Sequence, residues 1–151
     1  MNRFFNTPFE MELRILMLLM HSPFDSLNRD QLVCYDFICC YGKDYGVTDF
    51  NLHGDSSYKF GEIASRKELV DMAIKELVLS GLINAVMDKG FKYEINDNGI
   101  RYINSLDNTY GDNYMKAAEE AFEKYDLSED NAAQAFIIDL TRKGGYTNVQ
   151  D

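Results

Sequence analysis

Apolar positions between residues 65 and 106 change their period along the chain, and each change predicts a new element. Leu69, Val70, Ala73, Ile74, Leu77 and Val78 recur at the spacing of one broad helical face, with Lys67, Glu68, Asp71, Lys75 and Glu76 mostly opposite. This pattern predicts an amphipathic helix lying on a core. Ser80 and Gly81 end it, because glycine reaches the left-handed conformation of a helix stop without steric penalty. Leu82 to Met87 and Phe91 to Ile95 then read as two short strands joined by Asp88, Lys89 and Gly90. After the polar turn Asn96 to Gly99, helical spacing returns at Ile100, Ile103 and Leu106. Helix, tight exit and hairpin in this order predict a winged-helix domain.

Upstream, FFNTPFEMELRILMLLMHS predicts a first helix. Asn6 or Thr7 caps it, Pro8 occupies the first turn, and Glu10 places an acid at the positive end. Phe9, Leu13, Leu16, Met17 and Met20 form its expected buried stripe, with Arg14 among them. Arg14 is read either as a snorkelling surface residue or as half of an ion pair that positions the N-terminal arm. A second helix runs from Asn28 to about Tyr41, with Leu32, Tyr35, Phe37, Ile38 and Cys39 inward. Asp36 lies among them without a second acid or histidine at helical spacing, so it reads as a hydrogen-bonded structural aspartate.

Residues 42–61, GKDYGVTDFNLHGDSSYKFG, form the longest irregular stretch, and a loop of this length is usually functional or partner-bound. Tyr45, Phe50, Tyr58 and Phe60 within it either cover the edge of the core or anchor a partner. Downstream of a linker over Asp107 to Asp112, two further amphipathic helices are expected. Tyr114, Ala117, Ala118, Ala121, Phe122 and Tyr125 stripe the first, and Ala133, Phe136, Ile137 and Leu140 the second, with Ser128 as its cap and Gly144-Gly145 as its stop. The fold class is therefore mainly α with a small β-hairpin (α+β): a winged-helix domain over 1–106, followed by a C-terminal helical hairpin over 107–151 that either packs on it or extends to a partner.

Composition narrows the function. A chain of 151 residues buries roughly 68–70% of its unfolded surface, enough for a proper core. The longest apolar run, Ile15 to Met20, is far short of the ~20 residues of a membrane span, and MNRFFNTPFE does not read as a secretory signal, so a cytoplasmic protein is expected. Cys34, Cys39 and Cys40 suit a reducing compartment as small buried residues, and with His53 they match no zinc spacing. Fifteen basic residues against 25 acidic give a net charge of −10. Duplex binding draws on neutralised phosphates, and the helix over 65–80 offers Arg66, Lys67 and Lys75 only against Glu68, Asp71 and Glu76, while Lys89 and Lys92 of the wing face Asp88 and Glu94.

Motifs for chemistry are absent. GKDYG and RKGGYT lack the spacing of a phosphate loop, and neither GxSxG nor HExxH occurs. His53 stands near Asp55 and Glu62, but a catalytic dyad there lacks a nucleophile and an oxyanion site, so neither an enzyme nor a cofactor is expected.

Four segments carry a family resemblance: FNTPFEMELRILMLL (Phe5 to Leu19), LNRDQLVCYDF (Leu27 to Phe37), the pair Leu52 and His53, and GEIASRKELVDMAIKELVLSGLI (Gly61 to Ile83). Together they resemble the middle component of ABC-three-component systems, bacterial operons whose Lamassu relatives are antiphage defences. The resemblance spans about Phe5 to Leu106, and Phe5, Asn6, Pro8, Glu10, Leu13, Arg14, Asp36, His53, Glu62 and Arg66 match the pattern. Gly54 and Lys67 depart from it, where proline and a second arginine are expected. It implies a small non-enzymatic subunit bridging an SMC-like or Rad50-like ABC ATPase and an effector of nuclease type, with DNA met only through the complex. Phe5, Asn6, Pro8, Glu10, Arg14, His53, Glu62 and Arg66 are the partner-binding residues that this implies. A winged-helix transcription regulator is the alternative.

Overall fold

A computed structural model describes residues 7–52, 59–106 and 109–150 of the chain. Among these residues the regular structure is six α-helices and one hairpin, together with a 3-10 turn: α1 (Pro8–His21), α2 (Arg29–Cys40), the turn Lys59–Glu62, α3 (Ile63–Leu79), β1 (Ile83–Met87), β2 (Phe91–Ile95), α4 (Asp97–Asn104), α5 (Thr109–Lys124) and α6 (Ala132–Gln150). The mainly helical class with a small antiparallel sheet is the expected one.

Helix α1 is the centre of the packing, touching α2, α3, α4, α5 and β2. Thr7 caps it, its Oγ1 accepting from the Glu10 amide at 3.2 Å. The expected stripe is too narrow. Met11, Ile15, Leu18 and Leu19 are buried along with Leu13, Leu16 and Met17, whereas Phe9 is 55% exposed. A helix surrounded by neighbours is apolar nearly all round, and one face no longer describes it.

Helix α2 is similarly enclosed, buried from Gln31 to Cys40. It starts with a capping box: Asn28 Oδ1 accepts from the Gln31 amide and Gln31 Oε1 from the Asn28 amide, both at 2.8 Å. Helix α3 keeps the single face foreseen for it, with Ile63, Arg66, Val70, Ala73, Ile74 and Leu77 buried. Val78 sits at the edge of that face, 36% exposed.

Gly81, at φ +75°, turns the chain out of α3 as expected. β1 and β2 pair antiparallel with Ile83 opposite Ile95 and Met87 opposite Phe91, and the turn between them holds Lys89 and Gly90 at positive φ. Asn96 then fastens the next helix. Its Oδ1 accepts from the Gly99 amide and its Nδ2 donates to the Gly81 carbonyl, both at 3.0 Å, so one side chain joins the exit of α3 to the entry of α4. A bridge from Leu27 to Tyr93 extends the hairpin toward the α1–α2 loop.

The C-terminal helices pack on the rest. α5 lies against α1 and α2, and α6 against α2, α3 and the 3-10 turn. Tyr114, Ala117, Ala118, Ala121, Phe122, Ala133, Ile137 and Leu140 join the same buried cluster as the residues of α1 to α4. The seam is also polar. Tyr35 donates to the Tyr125 carbonyl at 2.7 Å and accepts from the Leu127 amide at 3.0 Å, and Gln31 Nε2 donates to the Leu127 carbonyl at 3.0 Å. Side chains of α2 thus satisfy the backbone of the α5–α6 connection.

Three boundary expectations change. Thr109 already begins α5, inside the expected linker. Ser128 does not cap α6, which starts four residues later, at Ala132; its amide donates instead to Asp126 Oδ1 at 2.9 Å. Gly144 and Gly145 do not stop α6, which runs to Gln150. Glycine weakens a helix interior by about 1 kcal/mol without forbidding it.

Candidate functional site

Polar residues cluster where α1, α2, α3 and α5 meet. Arg14, Asp36 and Arg66, one from each of the first three helices, have no exposure to solvent. Arg14 grips Asp36 with two parallel bonds, Nε to Oδ1 at 2.8 Å and Nη2 to Oδ2 at 3.1 Å. Arg66 Nη1 donates to Asp36 Oδ2 from the other side. Tyr114, on α5, donates its hydroxyl to Asp36 Oδ1. The Arg66 guanidinium also lies over the Phe37 ring, 5.4 Å from its centroid. One carboxylate therefore gathers four helices.

The electrostatics are asymmetric. Burial by itself would raise the Asp36 carboxyl, but Arg14 and Arg66 outweigh it and hold the group well below the usual carboxylate range. The same aspartate keeps Arg66 charged against the opposing effect of burial. Two guanidinium groups share this one carboxylate. Arg66 Nε and Nη2 are buried without an acceptor. Burial also pushes the Cys40 thiol, beside Asp36, up to about 11, which leaves it protonated and unreactive. Cys34 and Cys39 are likewise free and buried, as the sequence led one to expect.

This cluster decides between the two readings of Arg14 and corrects the placement of Arg66. Arg14 is not a snorkelling surface residue: its partner is Asp36, and the ion pair ties α1 to α2. Arg66 does not stand on the exposed face of α3, which is left with Lys67 and Lys75 against Glu68, Asp71 and Glu76. The structural role expected of Asp36 is the one it has. Helical spacing could have flagged Arg66, since it is in phase with Val70, Ala73 and Leu77. Tyr114 stands in the stripe expected of α5, but that spacing names no partner for its hydroxyl.

Three of the remaining expected residues, Glu62, Pro8 and Glu10, are described. Glu62 accepts from the Tyr41 hydroxyl at 3.1 Å at the entry of α3. Pro8 is exposed at the start of α1, and Glu10 is partly buried in its first turn. Phe5, Asn6 and His53 lie outside the described residues, as does Tyr58. Of the loop aromatics, Tyr45 packs against Phe37, Tyr125 and Phe136, with ring centroids 5.9–6.1 Å apart, whereas Phe50 is 49% exposed.

Several of the surface cations lie against acids. Arg29 contacts Asp30 and Asp71 at 3.0 and 3.3 Å, Lys92 contacts Asp88 at 3.4 Å, and Lys143 contacts Asp139 at 3.3 Å. Among the described residues no group of three or more histidine, cysteine or acidic side chains is placed to hold a metal ion, and no helix is long and apolar enough to cross a membrane.

A family model described as ABC-three component (ABC-3C) system Middle Component 2 matches residues 4–144. The match runs past the 5–106 span of the sequence resemblance and takes in α5 and much of α6. Neither a curated protein nor a solved structure matches the chain.

Proposed function

We propose that this chain, which belongs to the ABC-three component system Middle Component 2 family, is a non-catalytic accessory subunit of a bacterial antiphage defence complex. In this reading it works in the cytoplasm, binds an SMC-like ABC ATPase and links it to an effector such as a nuclease, as in Lamassu-like systems. The family match over residues 4–144 carries the proposal.

Physical features support it. We read the unit up to Leu106 as a winged helix that serves polypeptide rather than duplex DNA. A net charge of −10, two arginines withdrawn into the core and cations neutralised by neighbouring aspartates leave little to meet a phosphate backbone. Phe5, Asn6, Pro8, Glu10 and His53 are the proposed partner contacts near the start of α1 and in the long loop. Arg14, Glu62 and Arg66 contribute by fixing where α1 and α3 sit, since Arg14 and Arg66 are fully buried.

Co-expression with the proteins encoded beside it tests the reading. The expected result is co-purification with an ABC-type ATPase. Absence of any such complex, together with salt-sensitive binding of the isolated chain to duplex DNA, would favour a transcription regulator and overturn the proposal.

A further inference from the structure

The hairpin leaves one edge unpaired. Tyr93 exchanges both backbone bonds with Leu27, at 2.8 and 3.0 Å, so its N–H and C=O point away from β1. Ala85 stands opposite Tyr93 and Met87 opposite Phe91. In an antiparallel ladder the backbone groups of Ala85 and Met87 therefore point away from β2. Among the described residues nothing pairs with them.

Beside this edge lies an apolar groove. Ala85, Phe91 and Tyr93 face Ile74, Val78 and Leu79 of α3 across a volume of about 340 Å³. Leu79 is 72% exposed, Met87 68% and Phe91 61%. Such side chains beside an open strand are an aggregation hazard unless something covers them. The opposite face of the hairpin, with Asn84, Lys92 and Glu94, is polar.

We infer that the outer edge of β1 receives an extended segment of another component of the system as an added strand, apolar at alternate positions and basic overall. Edge pairing supplies the main-chain bonds, and the groove beside α3 takes every second side chain. Charge selects the basic character. The charged residues that line the groove are Asp71, 3.3 Å from Arg29, and Lys75, so the attraction comes from the chain as a whole, whose net charge of −10 draws a basic segment. A second copy would bring two surfaces of like charge together. The inference rests on the accessory-subunit reading and adds the place and chemistry of one contact.

The test uses the full chain purified with the components encoded beside it. Hydrogen exchange at the amides of Ala85 and Met87 is expected to be fast in the free chain and at least about tenfold slower in the complex. Ala85→Pro removes an N–H that the hairpin does not use and is expected to weaken the complex about tenfold or more, with the melting temperature of the free chain little changed. Phe91→Lys, an exposed position, should do the same through the groove and covers the case in which the proline variant unfolds. A wild-type complex that tolerates both variants and leaves both amides fast overturns this inference and leaves the accessory reading standing. No complex with any neighbouring component overturns both. Loss of self-association in the Ala85→Pro chain, with the complex intact, would assign the edge to a second copy and overturn the inference.

Discussion

Asp36 is the residue on which the interior depends. Replacing it by asparagine keeps its size but removes the carboxylate that two buried arginines share, and breaking such a network typically costs about 3–5 kcal/mol. The expected measurement is a loss of that order in urea unfolding for Asp36→Asn. Arg66→Met should cost at most about half as much, since Asp36 keeps its two bonds from Arg14 and two buried donors that lack acceptors are removed, each worth about 1–3 kcal/mol. Equal losses would mean that the cluster depends on Arg66 as fully as on the carboxylate itself. The lowered pKa of Asp36 also sets a pH dependence. Its folded value lies below its unfolded one, so its contribution is complete above the ordinary carboxylate range and declines as pH falls from about 4 toward the folded value. Unfolding midpoints measured down to about pH 2 should drop, and Asp36→Asn should flatten that drop.

At the scale of elements, the junction of α3, hairpin and α4 is set by close approach. A Cβ on Gly99 would lie 2.3 Å from the Leu82 carbonyl oxygen and 2.7 Å from an Ile95 side-chain carbon. A backbone oxygen has little room to retreat here, because it accepts from the Asn96 amide at 3.3 Å. Gly99→Ala is therefore expected to destabilise the protein by about 1–3 kcal/mol, as overpacking does, and thermal melts would read it. A neutral result would mean that α4 slides freely on the hairpin. Gly144 and Gly145 show the contrasting case, where glycine stays within a helix.

For the whole molecule, the question is whether residues 1–106 stand alone. The proposed division places α5 and α6 in a separate extension, yet Tyr114 completes the Asp36 cluster and α2 satisfies the backbone at Tyr125 and Leu127. Without α5 and α6, the apolar sides of α1 and α2 would face water, and Gln31 Nε2 and the Tyr35 hydroxyl would lose their partners. A fragment of residues 1–106 is expected to lack a cooperative melt, as measured by calorimetry or near-UV circular dichroism. A sharp transition in that fragment would establish the division.

What depends on near neighbours in the chain was legible in the residues alone: the periods of α3 and of the hairpin, the glycine exit at Gly81, a cap for α1 at Asn6 or Thr7, and a net charge of −10. The resemblance segments also identified the family, and Arg14, Asp36 and Arg66 among the matching residues. What those three do emerged with the packing of the helices, because an arginine's place depends on whether another helix brings a carboxylate to it. The same holds for α1, whose burial on nearly all sides follows from neighbours up to 100 or so residues away in sequence, and for α5 and α6, whose stripes specified a buried face but not the surface that buries it. Local signals act through backbone geometry and short-range hydrogen bonds. Long-range pairing is settled only when the helices are packed and each buried charge has found, or failed to find, its partner.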